Sequence, residues 1–63
     1  MNRIKQIRIL KGITQLELMK MTGIHYSQIS LIENGYRKPS EKIKKLLAKA
    51  LKVKKSWLFP EEK

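Results

Sequence analysis

The chain has 63 residues, no cysteine and one histidine, which allows one domain over 1–63 but no disulfide, thiolate metal site, multi-histidine cage or deep catalytic cleft. Fifteen Lys and Arg against five Asp and Glu give a formal net charge of +10, a field that attracts polyanions and favours nucleic acid or an anionic membrane surface as partner. No run of about twenty apolar residues marks a membrane span, and the basic N-terminus lacks a signal-peptide core, so the expected location is the cytoplasm.

The first predicted helix runs from about Arg3 to Lys11, with Asn2 as N-cap and Gly12 as stop. Ile4, Ile7 and Arg8 share one of its faces, and Ile9 points away from the core. The second starts at Thr14, where Thr14-Gln15-Leu16-Glu17 reads as a capping box. Its inward residues are expected to be Leu16, Leu18 and Met19. It ends near Thr22, where Gly23 supplies a sharp left-handed turn. A third helix runs from about Tyr26 to Asn34, closed by Asn34-Gly35. Ile29, Ile32 and Glu33 form its inner face; Ser27, Leu31 and Asn34 lie opposite, flanked by Ser30 and Tyr26. After a basic loop, Tyr36-Arg37-Lys38-Pro39, Ser40 caps a fourth helix with Glu41 in its first turn. Ile43, Leu46, Leu47, Ala50 and Leu51 make its apolar stripe, backed by Lys42, Lys45, Lys49 and Lys52. Ser56 is the expected cap of a last short helix carrying Trp57, Leu58 and Phe59, which Pro60 closes. Strand signals are nearly absent, so the fold class is all-α: a compact five-helix bundle with a helix-turn-helix at about 14–34.

Two short amphipathic helices meeting across a glycine turn suit duplex DNA, the first crossing the backbone and the second lying in the major groove. The marks Ile7-Arg8, Gly12-Ile13-Thr14-Gln15, Glu17-Leu18, Gly23-Ile24, Ile29-Ser30, Ile32-Glu33-Asn34-Gly35, Pro39-Ser40 and Ala48 to Leu51 together resemble the phage repressor/Cro, or XRE-type, helix-turn-helix regulators. The resemblance extends from about Ile4 to Phe59 and implies a lambda-repressor-like bundle. It also implies that Gln15 bonds a DNA phosphate and props the recognition helix. Tyr26, Ser27 and Leu31 would face base edges, Leu31 meeting a thymine methyl. Asn34, Arg37 and Lys38 would contact the DNA backbone, and Arg8 and Glu33 would form a partly buried ion pair. His25 stands at the N-cap of the recognition helix, where the family usually has serine or threonine. It is a poorer cap but reaches a base or a phosphate. Met19 replaces the family's usual alanine where the two helices approach most closely, so it bears on the angle of the recognition helix.

The expected partner is double-stranded DNA carrying a palindromic operator, bound by a homodimer whose apolar patch is Trp57, Leu58 and Phe59. The expected function is sequence-specific transcription regulation, with repression its expected form, by a nucleoid-associated protein. Two other readings compete. One is an antitoxin-like or coactivator-like protein-interaction module; the other is a basic amphipathic membrane binder through 42–59. The domain-like start at Pro39-Ser40 opposes a membrane role, and the lack of acids between Tyr26 and Ser30 favours DNA. No paired carboxylates, triad or phosphate loop suggests an enzyme, and no cofactor, metal or small-molecule ligand is expected.

Overall fold

The computed structural model describes residues 2–60, whose regular elements are all helices. Its elements are α1 (Ile4–Leu10), α2 (Gln15–Thr22), α3 (Tyr26–Glu33), α4 (Glu41–Leu51) and α5 (Lys55–Leu58). Short polar side chains begin most of them. Asn2 Oδ1 accepts the Ile4 amide at 3.2 Å, although the backbone cap of α1 is Arg3. At α2 the capping box is complete: Thr14 Oγ1 accepts from Glu17 N at 3.0 Å, and Glu17 Oε1 accepts from Thr14 N at 2.8 Å. Ser40 Oγ accepts from Ile43 N at 3.3 Å at the start of α4. Each such cap satisfies an amide that the helix itself cannot pair.

Gly23 ends α2 with φ +80°, a conformation that a side chain makes costly. Thr22 seals this turn, donating Oγ1 to Leu18 O at 2.8 Å and accepting from Ile24 N at 3.1 Å. At the other end of the molecule α4 closes on Lys52, the one non-glycine residue among those described with positive φ, at +59°.

The core is Ile4, Ile7, Leu18, Ile24, Ile29, Ile32, Leu47, Ala48, Leu51, Leu58 and Phe59. Complete burial of one such aliphatic side chain is worth roughly 1.5–3 kcal/mol, so every helix is held by at least one anchor. Three expectations about this core are corrected. Leu16 is 49% exposed rather than inward; Leu18 alone of α2 is fully buried, and Met19 packs against the core half-buried. On α4 the buried line is Lys44, Leu47, Ala48 and Leu51, so the stripe is turned from the expected one, and Ile43, Leu46 and Ala50 flank it. Lys44 lays its stem along this line, with its ammonium 5.7 Å from the Phe59 ring centroid and 3.6 Å from Glu41 Oε2. A lysine stem covers apolar surface well while its charge finds partners.

The third correction is at the C-terminal helix. Lys54, not Ser56, is the N-cap of α5, and Ser56 lies inside the helix. Leu58 and Phe59 are buried in the protein's own core, and Trp57 is 40% exposed. The patch expected to join two copies therefore loses two of its three members. The start of α1 is stitched to α5 here: Arg3 N donates to Leu58 O at 2.9 Å, and the Arg3 guanidinium lies 4.8 Å from the Trp57 ring centroid. Glu41 ties α4 to α5 through Lys55.

Candidate nucleic-acid interface

The inner side of α3 is fixed first. Ile29 and Ile32 are fully buried or nearly so, which by helical spacing turns Ser27, Leu31 and Asn34 outward. All three are exposed, as are His25 and Tyr26; Gln28 and Ser30 are half-buried on the flanks. Leu31 is 40% exposed on this face.

A polar brace holds α3 from behind. Arg8 Nε donates to Glu33 Oε2 at 2.7 Å, with the two side chains only 11% and 2% exposed. Arg8 Nη1 also donates to Ile13 O at 2.9 Å. Gln15 Nε2 donates to Glu33 Oε1 at 3.1 Å. Asn2 Nδ2 donates to Ile32 O at 2.8 Å, a second bond to a carbonyl that also accepts from Gly35 N at 3.1 Å. Helices α1 and α2 thus grip the last turn of α3 through side chains from three separate stretches of sequence. Charge-assisted bonds of this kind are short and directional, so they set the orientation of α3 as well as its position.

At the first turn of α3 the histidine cap is made. His25 Nδ1 accepts from Ser27 N at 3.1 Å and lies 2.8 Å from Ser27 Oγ. An accepting Nδ1 assigns the proton of the neutral ring to Nε2, so the outer nitrogen is a donor. The His25 and Tyr26 rings stack with centroids 4.4 Å apart. Two expected reading residues, His25 and Tyr26, therefore share one small platform, with the Ser27 hydroxyl bonded to its edge.

At the other end Asn34 turns its amide back onto α3, donating Nδ2 to Ser30 O at 2.8 Å. Exposed Tyr36, Arg37 and Lys38 follow in the loop. Gln28 and Tyr36 were not among the residues expected to meet DNA. Gln28 carries an amide suited to adenine, and the sequence signal for Tyr36 was an aromatic side chain set in a basic loop. The residues expected from sequence thus lie along the outward side of α3 and at its two ends, except Gln15, whose amide is turned to Glu33 in the brace.

A helix-turn-helix family model matches residues 4–58. The chain belongs to the XRE-type helix-turn-helix family. In this chain the turn between the two helices is residues 23–25, from the Gly23 cap of α2 to the His25 cap of α3. The chain is also 41% identical over 61 residues to YazB of Bacillus subtilis (strain 168), an uncharacterized HTH-type transcriptional regulator; the match covers 97% of this chain and 88% of that protein. The family is one of DNA-binding transcription regulators and is typically non-enzymatic. Among the described residues, no helix is long and apolar enough to cross a membrane.

Proposed function

We propose that this helix-turn-helix protein is a sequence-specific repressor that reads the major groove of duplex DNA with residues 26–34. The observation that carries the reading is the outward face of α3. It offers Tyr26, Ser27 and Leu31 without a single acid between Tyr26 and Ser30, while a partly buried Arg8–Glu33–Gln15 brace holds the helix from behind. Phosphate contacts from Gln15, Asn34, Arg37 and Lys38 set the register, and Tyr26, Ser27, Leu31 and the Nε2 donor of His25 discriminate bases. Gln28 joins them from the flank. The protein binds a palindromic operator as a homodimer, with half-sites ~34 Å apart or a multiple of that. With Leu58 and Phe59 in the core, Trp57 is what remains of the expected dimer patch.

Two variants separate the roles on a duplex recovered by in vitro selection. Leu31→Ala is expected to lose about 1–3 kcal/mol of discrimination at one base pair, leaving binding to other sequences nearly intact. Arg37→Ala is expected to weaken all duplexes equally and to reduce the salt slope by about 2, one phosphate contact in each copy of the homodimer. Equal loss on every duplex for Leu31→Ala would remove α3 as the reading element.

A further inference from the structure

Between the C-terminal halves of α2 and α4 lies a groove of about 400 Å³, lined by Met21, Leu46, Lys49, Ala50 and Lys52. None of these residues belongs to α3 or to the basic loop, so the DNA reading leaves the groove unused. We propose that it is a docking site for an acidic amphipathic segment of a partner protein, with apolar side chains on the floor and carboxylates against the lysine rim.

Three observations support this occupant. The floor is apolar and adaptable: Met21 is 51% exposed, and a flexible thioether at a surface moulds to varied apolar side chains. The rim is of one sign. Lys49 and Lys52 line the groove and continue an exposed stripe with Lys42 and Lys45. Glu17, a turn before Met21 on α2, is committed to the Thr14 cap. Finally, Lys52 holds a left-handed backbone at φ +59°, a position where helices most often use glycine. Its charge suits a helix C-terminus, and its side chain also completes the rim. Duplex DNA would meet the lysines but has nothing apolar for the floor. A flat bilayer surface does not fill a recess, whereas a helix or strand with an apolar edge does.

The test uses the full chain with ¹³C-methyl methionine and a synthetic peptide of glutamate and leucine, its leucines at helical spacing. A peptide of the same composition in scrambled order is the control. Saturable binding is expected, with a shift of the Met21 methyl and little change at Met19, the half-buried methionine of the same helix. The scrambled peptide is expected to bind about tenfold more weakly, the worth of one well-desolvated contact. Lys52→Gly provides a variant that still folds, since glycine accepts the backbone conformation; its thermal midpoint is expected to be no lower and its peptide affinity several-fold weaker. Met21→Ser is expected to lose the peptide and keep DNA affinity. Equal binding of the scrambled peptide, unchanged affinity of Lys52→Gly, or a Met21 shift produced instead by duplex DNA or anionic vesicles would overturn the proposal.

Discussion

Glu33 accepts from Arg8 and Gln15 with 2% of its side chain exposed, so its charge is compensated by protein and not by water. Removing it strands the Arg8 guanidinium. Glu33→Ala is therefore expected to cost about 3 kcal/mol in chemical denaturation; a loss below about 1 kcal/mol, the worth of an exposed pair, would show that the brace is not what holds α3. Glu17 makes the opposite case, a fully solvated carboxylate. The Thr14 backbone amide, then the Thr14 hydroxyl, hold its carboxyl below the ordinary carboxylate range. Glu41 is held low as well, first by the hydrogen bond from Lys55. For both groups the folded pKa is the lower one, so their contribution to stability is present above the unfolded carboxylate range and lost as pH falls through the folded value. The thermal midpoint is expected to be flat near neutrality and to fall in acid, with Glu17→Ala shallower than the parent. An acid limb unchanged by Glu17→Ala would mean that the capping box does not report on folding.

At the scale of elements, the helix-turn-helix was legible because its signals are local. The Thr14–Glu17 capping box and the Gly23 stop each act within four residues of themselves, and both stand where the spacing placed them. Gly23→Ala is expected to cost about 1–2 kcal/mol by thermal or chemical denaturation. The added Cβ meets nothing within 4 Å, so the loss is purely conformational; no loss would mean that the turn relaxes to another backbone. What was not legible depends on partners distant in sequence. Leu16 and Met19 stand three residues apart on one face while Leu18 lies nearly opposite Leu16, and only the placement of α3 and α4 decides which face is covered. Lys44 reads as surface until Phe59 and Glu41 come to meet it. Phe59 reads as part of a dimer patch until Arg3 ties the start of α1 to the end of α5. The site followed the same division. The outward face follows from the period of α3 and the His25 cap from its place before that helix, whereas the Asn2–Ile32 bond joins distant residues through geometry that no spacing rule encodes.

Over the whole molecule, a bundle with principal extents of 29 × 20 × 18 Å carries a formal net charge of +10. A major groove about 12 Å wide admits one helix of such a bundle, while the surrounding lysines and arginines supply attraction that carries no sequence information. In the proposed function, specificity comes from the few side chains at α3 and symmetry from a second copy. Arg37 and Lys38 on each of two copies set an expected slope of log affinity against log salt steeper than about −3. The most direct test is in vitro selection from random duplexes, followed by salt titration on the recovered site. The account predicts an enriched palindrome and binding that falls steeply with salt; no enriched sequence, with weak binding indifferent to salt, would contradict it.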